Sequence, residues 1–160
     1  MMKIRALLTA PLLTAGPLSG MPDALADRPC PPTRFTSPPD SFSEDFGTSV
    51  ATNGRFWFVG DALASQPGCG GVPLGCNAGA VHVYELVDGR LEFVQTLVPD
   101  VLEFFDWFGI SLDADGDRLV AGSLYTDWPG IPGKGGGYVF EFDGDSWNQV
   151  DSLVPPEEYT

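Results

Sequence analysis

Short apolar runs recur along this chain, many alternating with polar residues, and most are closed by Gly, Pro, Asn or Asp. Period-two alternation marks a half-buried β-strand, and the closing residues are those that turns require. The runs place strands from Phe56 to Val59, Ala80 to Leu86 and Leu91 to Val98, and again from Arg118 to Ala121, Gly137 to Phe142 and Trp147 to Val154. A further strand precedes each set, beginning after a Phe-Gly pair and ending at Asn53-Gly54 or Asp115-Gly116. Both dipeptides favour two-residue hairpins, whose central positions take positive φ. Asp88-Gly89 and Asp143-Gly144 turn the third strand of each set into the fourth.

The two sets are one unit written twice. Asp45-Phe46-Gly47-Thr48-Ser49-Val50 aligns with Trp107-Phe108-Gly109-Ile110-Ser111-Leu112, 62 positions later, and the register continues through Gly60 and Gly122. A loop of differing length follows in each copy. The register then resumes at a spacing of 56, where Val83-Tyr84-Glu85-Leu86 matches Val139-Phe140-Glu141-Phe142 and Thr96-Leu97-Val98-Pro99 matches Ser152-Leu153-Val154-Pro155. Several blocks in one order, with the length change confined to a loop, are the mark of an internal repeat.

Four short strands joined by turns make an antiparallel meander, which cannot cover both of its own faces. Radial packing of such sheets in a propeller covers them. The expected fold is therefore all-β: two four-stranded antiparallel propeller-type blades, a partial β-propeller. Two blades close no ring, and the chain stops at Glu157-Glu158-Tyr159-Thr160, where a third Phe-Gly block is due. A fragment, or one member of a larger assembly, is expected. Residues 45–100 form the first unit and residues 101–160 the second. Residues 27–44 form a linker or a latching outer strand, since Arg34 to Asp40 faintly echoes Gln95 to Asp100.

Residues 1–26 have the order of a helical secretory signal: Lys3 and Arg5, then an uncharged apolar stretch from Ala6 to Gly20, then Ala24-Leu25-Ala26 with cleavage after Ala26. Secretion or placement in the cell envelope is the expectation, with no transmembrane segment. Export permits disulfides. Cys69 and Cys76 flank a turn-forming stretch and are expected to bridge, a closure worth roughly 2.5 kcal/mol. Cys30 then has no partner in the chain. A metal is the rival for the pair, but two thiols without a nearby His supply half a tetrahedral shell.

The net charge is −14, from 22 acidic and 8 basic residues. Phosphate binding needs a basic stripe, so nucleic acid is not an expected partner. The acids are scattered through turns, a pattern that serves solubility.

These blocks resemble the FG-GAP repeat, the blade unit of integrin-α-type propellers. The Phe-Gly elements are Phe46-Gly47 and Phe108-Gly109. The glycines that open the GAP-like elements are Gly60 and Gly122, and Gly79 to Tyr84 and Gly136 to Phe140 are similar to the family's Gly-x-x-Tyr-Val-Phe strand. The resemblance covers most of residues 45 to 156. Neither GAP-like glycine is followed by the family's proline, and two repeats stand where its propellers usually have seven. The resemblance implies blades, and calcium loops in some members. Asp113, Asp115 and Asp117 are the candidates for such a loop, but no acid follows at the closing position, and a plain Asp-Gly hairpin is preferred. No other cofactor is expected.

His82, the only histidine, alternates with Val81 and Val83 and is read as structural. Glu92, Glu103, Glu141 and Asp151 offer paired carboxylates for glycoside hydrolysis, but no spacing ties them to a cleft. Gly133 to Gly137 leads into a strand and lacks the order of a phosphate loop. The aromatic linker from Val101 to Phe108 either packs between blades or presents a binding patch. The expected function is non-catalytic extracellular recognition or adhesion. Its ligand would be a protein or glycan, met by the variable loops Asp61 to Asn77 and Ser123 to Lys134, with further blades or a second chain as partner. The alternatives are a structural piece of a larger propeller, and a part of a propeller hydrolase whose catalytic residues lie elsewhere.

Overall fold

The computed structural model describes residues 36–38, 43, 45–65 and 76–156, all within one compact unit, Thr33–Thr160. Residues 1–26, Cys30, Cys69 and much of the Asp61 to Asn77 loop lie outside the described residues. Two four-stranded antiparallel sheets make up the fold. β1 (Phe46–Thr52), β2 (Phe56–Asp61), β3 (Ala80–Val87) and β4 (Arg90–Leu97) pair in chain order, and so do β5 (Ser111–Asp115), β6 (Arg118–Ser123), β7 (Gly136–Phe142) and β8 (Trp147–Leu153). The all-β expectation holds, with no helix among the described residues.

The duplication reaches the irregularities. Pairing between β3 and β4 shifts register between Val83 and Tyr84, and pairing between β7 and β8 shifts between Val139 and Phe140. These are the same places at the 56-residue spacing, so both units share a bulge, at Val94 and at Val150, and the first unit has a further shift between Phe46 and Val50. A bulge increases local twist, and identical placement gives the two meanders matching surfaces.

The turns are more varied than the dipeptides imply. Asp88 and Gly89 both take positive φ between β3 and β4, the expected two-residue form. The β5–β6 turn is centred one residue later than expected, on Gly116-Asp117, because Asp115 still pairs with Arg118. Only Gly116 has positive φ there, the pattern of a hairpin with glycine at its first central position. The β1–β2 connection is longer, since Thr52 pairs with Trp57. The Asn53 side chain accepts the N–H groups of Arg55 and Phe56 at 3.1 and 2.7 Å, and the Asn53 backbone N–H donates to the Phe56 carbonyl at 3.2 Å, so side chain and backbone close the turn together.

The sheets stack as repeats, with opposite faces in contact. The first sheet offers Phe56, Phe58, Val81, Val83 and Leu97, and the second answers with Leu119, Ala121, Tyr138, Phe140 and Trp147 in one core. Leu119 and Ala121 are the counterparts of Trp57 and Val59, which lie on the far face of the first sheet. Trp147 stands edge-on to Phe58 at 4.9 Å and to Phe56 at 5.5 Å between ring centroids. Burying an aromatic of this size contributes about 2–3 kcal/mol.

Candidate functional site

The repeat signature marks the joint between the sheets. The Phe108 N–H donates to the Ala78 carbonyl at 2.8 Å, and the Ser49 hydroxyl donates to the Gly109 carbonyl at 2.6 Å. A Cβ on Gly60 would lie 2.1 Å from that same carbonyl oxygen, so only glycine lets the second unit approach. Gly109 itself sits at φ +86. The structure therefore brings Gly60, Phe108 and Gly109 together, and the Gly122 carbonyl accepts the Gly109 N–H at 2.9 Å, while nothing lies within 4 Å of a Cβ built on Gly47.

The linker leading into this joint is strained. Phe105 and Trp107 have φ +64 and +54, a region that bulky residues rarely enter. Asp106 between them holds the turn. Its carboxylate accepts the Glu103 N–H at 2.8 Å. Its carbonyl accepts from the Ser123 hydroxyl and from the N–H groups of Leu124 and Tyr125. Burial is the chief cause that pushes the Asp106 carboxyl above the usual range; the charges of Glu103 and Asp127 add to this, and the Glu103 hydrogen bond opposes it.

The strained turn splits the linker's aromatics between two tasks. Phe108 is buried in the joint, whereas Phe104 and Phe105 are 44% and 52% exposed. Tyr125, on the loop after β6, packs edge-on to Trp107 at 5.3 Å, and Leu124 beside it is also exposed. An apolar patch thus forms where the linker meets the Ser123 to Lys134 loop. That loop is itself ordered by a side chain and its own backbone: Trp128 Nε1 donates to the Gly135 carbonyl at 2.9 Å, and the Ile131 N–H donates to the Trp128 carbonyl at 2.8 Å.

A buried polar row was not legible in the sequence. His82 Nδ1 lies 2.9 Å from Thr96 Oγ1, its Nε2 lies 3.5 Å from Asp61 Oδ2, and the Ser43 hydroxyl donates to Asp61. Asp61 and His82 have essentially no exposed surface. Hydroxyl, imidazole and carboxylate in a row resemble the parts of an acyl-transfer site, but here the imidazole and the carboxylate are buried and the Thr96 and Ser43 hydroxyls half-buried. Here the row ties the N-terminal segment to β2, β3 and β4. The alternation of His82 with Val81 and Val83 is as expected, and β3 is buried on both faces from Ala80 to Tyr84.

Asp113 and Asp115 lie on β5 and Asp117 in the tight turn after it. Among the described residues no three His, Cys, Asp or Glu side chains gather closely enough to hold a metal ion. Glu92, Glu103, Glu141 and Asp151 are dispersed over β4, the linker, β7 and β8. Cys76 is buried and its sulfur is not free; the pairing with Cys69 remains an expectation. No helix among the described residues is long and apolar enough to cross a membrane.

Comparison with protein-family models finds no match, and neither curated proteins nor solved structures give one.

Proposed function

We propose that this chain is an exported, non-catalytic recognition module built from FG-GAP-type blades. The observation that carries the reading is the exposed pair Phe104 and Phe105 on a strained, hydrogen-bonded turn, with half-buried Trp107 of that turn packed against exposed Tyr125 of the next loop. Backbone strain persists where surrounding bonds over-determine it, and it gathers at ligand clamps and active sites. Exposed aromatics held rigidly are the residues that dominate protein interfaces. The ligand would be an extracellular protein or glycan, and the adjacent Ser123 to Lys134 loop would set its specificity.

Binding of the intact protein to glycan and extracellular-protein arrays tests this reading, with a Phe105→Ala/Tyr125→Ala variant in parallel. Loss of a specific signal in the variant, with an unchanged melting curve, is expected. Equal binding by both proteins would remove the patch from the account.

A second reading, a structural piece of a larger β assembly, is favoured by one separate observation. The outward face of the second sheet carries Val120 and Leu153 in the open.

A further inference from the structure

The outward face of the second sheet is the counterpart of the face with which the first sheet receives its neighbour. At the repeat spacings Ser111 stands for Ser49, Val120 for Phe58, Gly122 for Gly60, Val139 for Val83 and Leu153 for Leu97. Phe58 and Leu97 are 0% and 2% exposed, whereas Val120 and Leu153 are 38% and 50% exposed. A shallow cavity of about 330 Å³ lies on this face, bordered by Ser111, Gly122, Gly137 and Leu153. A Cβ on Gly122 would meet, within 4 Å, only side-chain atoms of Ser111 and Ile110. The slot that takes a Phe-Gly carbonyl in the first sheet is repeated here and left open.

The matching insert is on the same chain. Phe46-Gly47 stands for Phe108-Gly109, Gly47 has φ +96 against +86, and nothing lies within 4 Å of a Cβ built on it. Val50 stands for Leu112 and Leu86 for Phe142, and both are exposed on the far face of the first sheet. The Phe46 ring lies 5.7 Å from that of His82, as the Phe108 ring lies 5.6 Å from that of Tyr138, the counterpart of His82 at the repeat spacing.

We propose that copies of this chain associate head to tail, the Phe46-Gly47 end of one seated on the Ser111, Gly122 and Leu153 face of another. This goes beyond ligand recognition and does not use the aromatic patch. The contact is heterologous, so each copy contributes two different surfaces and the assembly grows until it closes. The Ser111 hydroxyl would donate to the Gly47 carbonyl of the second copy, as Ser49 does to Gly109. Two substitutions make this contact weaker than the internal one. Asp151 stands for Gln95 and Asp115 for Asn53, and neither carboxylate can supply the amide donor it replaces. Each chain also carries a formal −14, so added salt strengthens association by screening.

Sedimentation velocity over a concentration series tests the proposal. The unaltered protein is expected to self-associate, more so at higher salt. Leu153→Asp and Ser111→Ala/Gly122→Ala, which alter the receiving face, and Val50→Asp, which alters the inserting face, should each weaken association about tenfold or more. Thermal melting of each variant confirms folding. Phe105→Asp should associate as the unaltered protein does. Mixing Val50→Asp with Leu153→Asp should give a one-to-one dimer that grows no further, because one intact surface of each kind remains. A monomer at every concentration and salt reached would overturn the proposal, as would a mixture that stays monomeric, or association broken by Phe105→Asp and not by Leu153→Asp.

Discussion

The side chain of Gln95 pairs with the backbone of Trp147 in both directions. Its Nε2 donates to the Trp147 carbonyl at 3.0 Å, and its Oε1 accepts the Trp147 N–H at 3.0 Å. One amide on β4 of the first sheet thus serves both backbone groups of the residue that opens β8. The indole of Trp147 is then set edge-on against Phe56 and Phe58. Polar pairing and apolar packing meet at one residue, which fixes how the second meander sits on the first.

Gln95→Glu keeps the acceptor and removes the donor, leaving a carboxylate beside a carbonyl oxygen. A loss of about 1–2 kcal/mol in unfolding free energy is expected, read from urea denaturation. Gln95→Met, which removes both polar groups, should cost no more than the Glu variant; a clearly larger loss would show that the reciprocal pair is not what matters at this position.

Glycine at position 60 is required by the approach of the Gly109 carbonyl. Gly60→Ala places a methyl group 2.1 Å from that oxygen and 2.2 Å from Ser49 Oγ, and should destabilise by about 2–3 kcal/mol. Gly122→Ala crowds an exposed serine side chain that can rotate away and reaches Ile110 only at ordinary contact distance. Its unfolding midpoint should therefore stay much closer to that of the unaltered protein. Equal losses at the two positions would contradict the stacking described here.

Asp106 makes stability depend on pH in an unusual direction. Its carboxyl is raised above 3.8, chiefly by burial, so the folded state holds the proton more tightly than the unfolded state. Stability from this source is complete below 3.8 and is lost as pH rises through the folded value. Asp106→Asn keeps an oxygen to accept the Glu103 N–H and removes the titration. Thermal melts should show the variant gaining on the unaltered protein from acid to neutral pH. A constant difference across that range would rule out this role for Asp106.

The hairpins, the strand order and the repeat were legible because each rests on local chemistry. Asp-Gly turns and alternating Val, Tyr and Phe act within a few residues of one another. The Phe-Gly and GAP-like glycines were legible as a pattern only. That Gly60 faces Gly109 across the joint depends on which faces of the two sheets meet, and alternation is silent on that. Nor could it show that β3 is buried on both sides, that Asp61 and His82 become neighbours, or that Phe105 and Trp107 enter the left-handed region. Each of these follows from one segment being laid over another. The β1–β2 turn departs from its dipeptide for a local reason, since the Asn53 side chain can bond two backbone N–H groups and so accommodates a longer loop.

The cysteines give a prediction that goes with the proposed export. Peptide mapping without reduction should find Cys69 joined to Cys76 and Cys30 open to alkylation, in a mature chain that begins at Asp27. Reduction should lower stability by about 2.5 kcal/mol, the chain-entropy value for so short a loop. A Cys30–Cys76 bridge would instead tie the segment ahead of β1 to the start of β3.

Nuclear Overhauser spectroscopy of the folded protein tests the stacking of the two meanders most directly. Cross-peaks from the Trp147 indole to the Phe56 and Phe58 rings are expected, at centroid separations of 5.5 and 4.9 Å. A spectrum in which both sheets show their cross-strand contacts while Trp147 shows none to either phenylalanine would contradict the account.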